Sequence, residues 1–252
     1  MENIFIFIKQ LFFSKKEKGS LTIIAVGPGD ASLLTIEATK ALKKSKVIFY
    51  PISGEDKGSF SAKIVNKFIK RKKQIPLIFP MGQKDYDSEF IWKSGAKKIV
   101  HYINKNLPVA LLCLGDTSIY ASSFYLKKEI KKNYPQIQIT TLPGISSLSL
   151  AAALGDFQLV KKGENLNVIE CPDDKNQFIN LFNNQSKTVL AIMKVGKRWP
   201  WVKYVLEEKK ILRKATLAIN LGMENQYIGD ASEYLAKELP YFSLLLLRIG
   251  LE

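Results

Sequence analysis

The sequence predicts an α/β fold made of two α/β domains, with a mainly parallel sheet in the N-terminal domain, a mixed sheet in the C-terminal domain and the active site in the cleft between them. Three observations support this prediction. Apolar runs alternate with helical patterns from Leu21 onward. Three of these runs end in a glycine turn. The later runs have a hairpin-like spacing, which favours antiparallel pairs, whereas alternating strands and helices favour a parallel sheet.

The first half of the chain reads as successive βα units. Each apolar run is short enough for a buried strand, and each following segment carries apolar residues at helical spacing. The predicted strands cover residues 21–25, 47–50, 74–79, 109–114 and 137–142. The predicted helices cover residues 33–46, 61–71, 88–106 and 122–133.

The second half restarts after the turn at Pro143-Gly144. A helix of small residues is predicted first, followed by strands and helices at uneven spacing. The predicted helices are 146–154, 176–184 and 201–209, and the predicted strands are 166–170, 188–194, 215–221 and 241–248. We therefore expect an N-terminal tail over 1–20, one domain over 21–142 and a second over 143–252.

The three glycine turns are the candidate site. Gly115-Asp116 follows the run 109–113, and Gly27-Pro28-Gly29-Asp30 and Pro143-Gly144 follow two other predicted strands. Open α/β sheets bind ligands outside the carboxyl ends of their strands, so a carboxylate at such an end is placed for ligand contact. As a dinucleotide fingerprint the first turn is weak, because Ser32 replaces the third glycine and Pro28 lacks an N–H donor. For Asp116 the alternative is an Asx turn or a helix N-cap.

Composition narrows the class of protein. With 252 residues and 46% hydrophobic content, the chain is long and apolar enough for one large domain or two compact ones. Its two cysteines, Cys113 and Cys171, offer neither a disulfide framework nor a metal pair, which fits a reducing cytoplasm. The single histidine, His101, is predicted to be an ordinary helix residue. No cluster of His, Cys and carboxylates resembles a metal site, so no metal is expected.

The charge balance is strongly positive: 38 Lys+Arg against 23 Asp+Glu give a net charge of +15. Such a field attracts polyanions, whether nucleic acid, acidic lipid or a small molecule with several carboxylates. Composition alone does not choose among them. The lysine runs near 70–73 and 127–132 are predicted to be solvated surface at helix ends or on helix faces.

The first twenty residues differ from the rest in composition. Apolar residues 4–8 and 11–13 are interrupted by Lys9 and followed by a basic stretch. This segment is too short to span a bilayer, and it has no basic region before the apolar run and no small-residue cleavage site. We expect a poorly ordered tail, with an interfacial or partner-docking amphipathic helix as the alternative.

The same turns resemble the tetrapyrrole methylases, the class III S-adenosylmethionine-dependent methyltransferases. That family carries a glycine-rich turn followed by Leu-Leu-Thr, a Gly-Asp-Pro turn with a downstream Tyr, and a Pro-Gly-x-Ser-Ser element. The corresponding residues here are Val26–Asp30 with Leu33-Leu34-Thr35, Gly115-Asp116-Thr117 with Tyr120, and Pro143-Gly144-Ile145-Ser146-Ser147. Thr117 departs from the family's usual proline but leaves the Asp116 carboxylate in place.

Within the family the chain is most similar to the branch that methylates ring carbon 20 of precorrin-2 or cobalt-factor II in cobalamin biosynthesis. The supporting segments are Tyr50-Pro51, Phe79-Pro80-Met81 with Trp92, 193–197 and 241–248. Two alternatives stay open. One is a sister enzyme acting on another ring carbon, and the other is a ribosomal RNA methyltransferase of the same superfamily.

The resemblance implies an S-adenosylmethionine cofactor, a polycarboxylate tetrapyrrole substrate and a homodimer without nucleic acid. It implies that Asp116 contacts the cofactor, and Asp116 is also the candidate catalytic residue. The implied cofactor-binding set is Pro28, Leu114, Gly115, Asp116, Ile119, Ser146, Ser147, Met193 and Gly222. The basic residues nearest the motifs, and hence the candidates for substrate carboxylates, are Lys194, Lys197, Arg198 and Arg248.

Overall fold

The computed structural model describes residues 19–54, 56, 58–79, 88–183 and 187–250. These residues form two compact units. The first contains the described residues up to Gly27 and those from Ala31 to Gly144, and the second contains Pro28–Asp30 and the described residues from Ile145 onward. The chain therefore changes unit within the first and the third glycine turn. The predicted cleft between the two halves stays a prediction.

The first unit is built on a five-stranded sheet in which every observed pair is parallel. Its strands are β1 (Leu21–Ala25), β2 (Val47–Ile52), β3 (Lys73–Ile78), β4 (Val109–Cys113) and β5 (Ile139–Leu142), in the order β3-β2-β4-β1-β5. Its helices are α1 (Ile36–Lys44), α2 (Phe60–Ile64), α3 (Asn66–Ile69), α4 (Ser88–Ile103) and α5 (Ser123–Asn133). The parallel N-terminal sheet is thus confirmed.

Both faces of this sheet are buried, which explains why its central strands are continuous apolar runs. Successive side chains point to opposite faces. Ile23 and Leu111 pack on one face with α4 and α5, whereas Ile24 and Leu112 pack on the other face with α1, α2 and α3.

The connections that follow β1 and β4 leave toward opposite faces. Helix α1 buries Ala38 and Leu42 on one face, and α5 buries Leu126 and Ile130 on the other. Since β1 and β4 are neighbours, their carboxyl ends are the point where the strand order reverses. This strand order therefore marks the ligand position expected for an open α/β sheet.

The second unit is built on a mixed sheet, as predicted. Its strands are β6 (Asn165–Glu170), β7 (Thr188–Met193), β8 (Ala215–Ile219), β9 (Tyr227–Asp230) and β10 (Ser243–Ile249), in the order β6-β7-β10-β8-β9. Only β6 and β7 pair in parallel. Helix α6 (Ser147–Leu154) packs on one face, whereas α7 (Lys175–Asn180) and α8 (Trp199–Glu208) pack on the other.

Two predicted helices differ clearly from the observed ones, and one observed strand was not predicted. The helix predicted over 33–46 begins only at Ile36, because the Thr35 hydroxyl accepts the Ala38 N–H at 3.0 Å and caps the helix there. The helix predicted over 61–71 is two short helices that meet at Val65. Strand β9 was missed, since its four residues are too few to show an alternating pattern.

Gly19 and Ser20, which were predicted to belong to the N-terminal tail, already contact the first unit. The Val109 N–H donates to the Ser20 carbonyl at 2.9 Å, and a Cβ on Gly19 would lie 2.0 Å from the Ile103 carbonyl oxygen. These two residues therefore belong to the first unit. The rest of the predicted tail, residues 1–18, lies outside the described residues. Among the described residues, no helix is long and apolar enough to cross a membrane.

The lysine run at 70–73 is not uniformly solvated surface, and for Lys72 that prediction is wrong. The Lys72 ammonium donates to the carbonyl oxygens of Leu42, Lys43 and Ser45 at 2.5, 2.7 and 2.6 Å. These carbonyls lie at the carboxyl end of α1, where the helix leaves acceptors unpaired. Lys72 therefore caps α1, while the other three residues of the run are exposed.

Candidate functional site

The first two glycine turns meet at the carboxyl edge of the first unit's sheet. Gly27 and Gly115 exchange two backbone hydrogen bonds, with N···O distances of 3.1 and 2.8 Å. Their φ angles are +76° and +71°, a region that glycine adopts without steric cost. The sequence therefore needs glycine at both positions to join the ends of β1 and β4.

The third turn, at Gly144, packs against the ends of β1 and β4. A Cβ on Gly144 would lie 2.6 Å from the Ala25 Cβ and 2.9 Å from the Gly115 carbonyl oxygen, so only glycine allows this approach. Because β4, β1 and β5 are adjacent, the turns that follow them converge. The structure thus brings Gly27, Gly115 and Gly144 together, although they are far apart in sequence.

The Asp116 carboxylate links its own turn to the turn at Gly144 by hydrogen bonds. Its Oδ2 accepts the Gly144 N–H at 3.1 Å, and its Oδ1 accepts the N–H of Ser118 at 2.7 Å and also the Ser118 hydroxyl. The bond to the Ser118 N–H is an Asx turn, which was the structural alternative for this residue. The partner Ser118 was missed at the sequence level, although an Asp two residues before a Ser is a common turn signal.

Asp116 is held in its ionised form. Partial burial opposes ionisation, but the hydrogen bonds from the Ser118 hydroxyl and from the N–H groups of Gly144, Ser118 and Thr117 outweigh it and lower the pKa of the carboxyl below its usual value. A carboxylate with a lowered pKa is a weak proton acceptor near neutral pH. It remains a strong hydrogen-bond acceptor and a fixed negative charge.

The backbone beside Asp116 is open to a ligand. Among the residues that the structure describes, a Cβ on Gly115 would meet no atom within 4 Å, in contrast to the crowded positions of Gly29 and Gly144. Leu114 and Ile119, which flank this opening in sequence, are half-buried. Four of the predicted cofactor-binding residues, Leu114, Gly115, Asp116 and Ile119, therefore lie on one turn whose glycine no other described residue crowds.

The turn at Pro28–Asp30 packs closely against a second turn within the second unit. A Cβ on Gly29 would lie 2.4 Å from the Leu221 carbonyl oxygen, and a Cβ on Gly222 would lie 2.7 Å from the Asp30 nitrogen. Gly222 has φ +69°, and its N–H donates to the Gln226 side chain at 2.7 Å. Gly222 therefore has no room for a side chain, and it lies beside the turn that contains the buried Pro28.

The other cofactor-binding candidates of the second unit lie at element ends. The Ser146 hydroxyl accepts the Ser149 N–H at 3.1 Å and is the N-cap of α6, and Ser147 is the first residue of that helix. Met193 ends β7, where it is half-buried beside α6 in the same apolar cluster. The cap therefore accounts for the Ser146 hydroxyl without a ligand.

Three of the four predicted substrate-binding cations are paired within the second unit. Lys194 lies 3.0 Å from Glu170, and the Arg198 Nε lies 2.9 Å from Asp173. Arg198 also donates to the Lys194 carbonyl at 3.0 Å. Their charges are thus partly compensated by neighbouring carboxylates.

Arg248 is the most enclosed of these cations. Its Nε lies 2.9 Å from Glu164, its guanidinium stacks over the Phe157 ring at 5.0 Å, and its side chain is 18% exposed. The Lys161 N–H and then Arg248 hold the pKa of Glu164 below its usual value. Lys197, by contrast, is exposed, and it makes no ion pair with any residue that the structure describes.

The two cysteines are buried free thiols. Burial raises the pKa of Cys113 and raises that of Cys171 to about 12. Both are therefore protonated at neutral pH, which makes them poor nucleophiles. Cys113 ends β4 and packs in the core, so its position beside the Asp116 turn is structural.

Comparisons with known proteins converge on one family. The family described as Tetrapyrrole (Corrin/Porphyrin) Methylases matches residues 20–234. A probable cobalt-precorrin-2 C(20)-methyltransferase of Methanocaldococcus jannaschii is 29% identical over 160 residues, covering 64% of this chain and 67% of the relative. The precorrin-2 C(20)-methyltransferase of a Sinorhizobium species is 26% identical over 236 residues, covering 90% of this chain and 94% of the relative.

A solved structure has a fold similar to that of this chain. The crystal structure of a cobalt precorrin-4 methyltransferase matches 94% of this chain and 98% of its own, with a TM-score of 0.69 and 16% identity. At this identity the likeness concerns the fold.

Proposed function

Because this chain belongs to the tetrapyrrole (corrin/porphyrin) methylase family, we propose that it transfers a methyl group from S-adenosylmethionine to ring carbon 20 of precorrin-2 or of its cobalt form in cobalamin biosynthesis. The observation that carries the choice of ring carbon is the similarity to the C(20)-methyltransferases of two organisms. The reaction takes place in the cytoplasm, in keeping with the buried free cysteines.

The first unit's turn fits the methyl donor. A ligand can approach the backbone at Gly115 because no atom of the described residues lies within 4 Å of the Cβ position there. The ionised carboxylate of Asp116 suits a cofactor that carries a cationic centre and hydrogen-bond donors. Leu114, Gly115, Asp116 and Ile119 are the residues that would hold it. When bound, S-adenosylmethionine supplies a methyl group already activated by the positive charge on sulfur.

The protein's contribution is positioning. In the reaction the new C–C bond forms as the S–CH₃ bond breaks, and the methylated ring carbon loses a proton. The Gly27–Gly115 bridge and the Gly144–Asp116 hydrogen bond fix the turn, so the donor site is preorganised before ligand binds. We assign Asp116 a binding and orienting role, since its lowered pKa makes it a weak base.

The substrate is a macrocycle ringed with carboxylates, for which exposed cations are the natural partners. Among the four predicted cations, Lys197 is exposed and has no ion-pair partner in the described residues, so it is our first candidate for a carboxylate contact. Lys194, Arg198 and Arg248 could contribute only by sharing or exchanging their present carboxylate partners. We also propose a homodimer, following the family resemblance.

The test is a methyl-transfer assay with the full chain, isotopically labelled S-adenosylmethionine, and precorrin-2 or cobalt-precorrin-2 in turn. NMR then locates the labelled methyl group on the product. We expect it on ring carbon 20. Label on another ring carbon would identify a sister enzyme, and label in structured RNA but not in either macrocycle would overturn the proposal.

A further inference from the structure

Ser118 makes two hydrogen bonds to the Asp116 carboxylate. Its backbone N–H donates to Asp116 Oδ1 at 2.7 Å, and its hydroxyl donates to the same oxygen. The other oxygen, Oδ2, accepts the Gly144 N–H from a different turn at 3.1 Å. Contacts on both oxygens restrict rotation about the Cβ–Cγ bond, so the carboxylate is held in one orientation.

The Ser118 hydroxyl is not needed to form the turn. An Asx turn requires only the backbone N–H of the residue two positions after the aspartate. The second unit has a turn of this kind, in which the Ser232 N–H donates to Asp230 Oδ1 at 2.7 Å, the same distance as in the Asp116 turn. The Ser118 hydroxyl therefore adds a charge-assisted hydrogen bond that acts on the carboxylate itself.

The residue between these two, Thr117, makes the added bond more important. A proline, which is usual in the family at this position, fixes φ at about −65°. Thr117 has no such ring, so the turn depends on hydrogen bonds for its rigidity. Thr117 also has an N–H, which a proline lacks, and this N–H helps to lower the pKa of the Asp116 carboxyl. In this chain, hydrogen bonds to the carboxylate take the place of the ring.

Hydrogen bonds also determine the charge state of Asp116. Desolvation raises its pKa, and the hydrogen bonds lower it, the Ser118 hydroxyl first among them. The titratable group beside it is Cys113, whose Sγ lies 3.5 Å from the Asp116 carbonyl oxygen and whose pKa is raised, mainly by burial. Cys113 is therefore neutral where a carboxyl titrates. Apart from Asp116 itself, residues 114–118 and 143–145 carry no charged side chain.

We propose that Ser118 is a positioning residue for the methyl-transfer reaction, because its hydroxyl holds the Asp116 carboxylate in the orientation that binds S-adenosylmethionine. The role rests on the proposed function, since Ser118 acts through Asp116 at the same site. No bond to Ser118 forms or breaks in the reaction. Asp116 makes the ligand contact, and Ser118 keeps it ionised and oriented before the cofactor arrives. Such preorganisation favours binding, because the ligand does not have to order the side chain.

The test compares Ser118→Ala, which removes the hydroxyl and keeps the N–H, with Ser118→Thr, which keeps both donors. Calorimetry at neutral pH measures the binding of S-adenosylmethionine to the full chain. We expect Ser118→Ala to bind about three- to tenfold more weakly, because one hydrogen bond is lost while two N–H groups still hold the carboxylate. Ser118→Thr should bind like the wild type. Ser232→Ala, in the matched turn, is the control and should also bind normally.

Carbon-13 NMR of the Asp116 carboxyl gives a second readout that needs no ligand, with Asp116→Asn to assign the signal. The pKa of Asp116 should rise in Ser118→Ala, because a donor to the ionised form is removed. It should stay at the wild-type value in Ser118→Thr and Ser232→Ala. A role confined to the stability of the fold would leave this titration unchanged.

Two results would overturn the positioning role while leaving the proposed function intact. The first is that the wild type binds S-adenosylmethionine and Ser118→Ala binds it equally well. The second is that Ser118→Ala loses affinity without a rise in the pKa of Asp116, or that Ser118→Thr loses as much affinity as Ser118→Ala, because the hydroxyl would then not be the cause. Failure of the proposed function is recognised separately. The wild type would then bind no S-adenosylmethionine, and the role of Ser118 would fall with it.

Discussion

Asp116 Oδ2 accepts the backbone N–H of Gly144 at 3.1 Å, across 28 positions of sequence. This bond links the turn after β4 to the turn after β5. The same carboxylate closes the Asx turn to Ser118 through its other oxygen. One side chain therefore fixes the geometry of the turn and supplies its negative charge.

The first prediction is that Asp116→Asn keeps the fold but weakens S-adenosylmethionine binding about 10- to 100-fold, because a charge-assisted hydrogen bond contributes about 1.5–3 kcal/mol. Isothermal titration calorimetry measures the affinity. Glu207→Gln, which removes an exposed charge on α8, is the control and should bind normally. Unchanged affinity and unchanged turnover in Asp116→Asn would remove Asp116 from the site.

The second prediction concerns pH. The folded pKa of Asp116 lies below its unfolded value of about 3.9, so the stabilisation is fully present above that pH and is lost as pH falls through the folded pKa. The difference in unfolding free energy between wild type and Asp116→Asn should therefore be constant from pH 5 to 7 and shrink below about pH 4. Urea unfolding at each pH measures it. A difference that grows on acidification would contradict the ionised assignment.

The third prediction separates backbone strain from ligand access at Gly115. Gly115→Ala and Gly163→Ala both place a side chain at positive φ, +71° and +83°, and in neither does the added Cβ come within 4 Å of an atom in the described part of the chain. Each should cost about 1–2 kcal/mol of stability. Only Gly115→Ala should also weaken S-adenosylmethionine binding, because its methyl group would fill the space proposed for the ligand. Equal affinities in the two variants would place the ligand elsewhere.

The fourth prediction concerns the Lys72 cap. Lys72→Met should lower the unfolding free energy by about 1–2 kcal/mol, since it removes charged hydrogen bonds to three carbonyls at the end of α1. Lys70→Met, at a neighbouring exposed position, should stay within about 0.5 kcal/mol of wild type. Denaturant unfolding distinguishes the two. If both variants are equally stable, the cap contributes nothing.

The fifth prediction tests Lys197, the cation of the predicted substrate set that makes no ion pair with a described residue. Lys197→Gln should raise the KM for the tetrapyrrole about two- to fivefold at low salt, as expected for an exposed ion pair, and leave the KM for S-adenosylmethionine unchanged. The effect should fade as salt shortens the Debye length below roughly 8 Å. Lys162→Gln is the matched control. A rise of equal size in the control would show that only the overall charge matters.

Local features of this protein follow from its amino-acid sequence alone. Apolar runs such as Val109–Cys113 form strands because both faces of the sheet are buried, and the glycines of the three turns are needed wherever the chain has positive φ or approaches another backbone. These choices depend mainly on residues close in sequence. The resemblance carried by the same turns also identified the family, which the match over residues 20–234 confirms.

Which of these features come into contact depends on the tertiary fold. The strand order sets β1 between β4 and β5, and this placement creates the Gly27–Gly115 bridge and the Asp116–Gly144 bond. It also made Lys72 a helix cap and gave Arg248 a carboxylate partner 84 positions away. The sequence specifies a side chain's charge and length. Its partner, however, depends on how distant segments pack together, and no local sequence pattern specifies that packing.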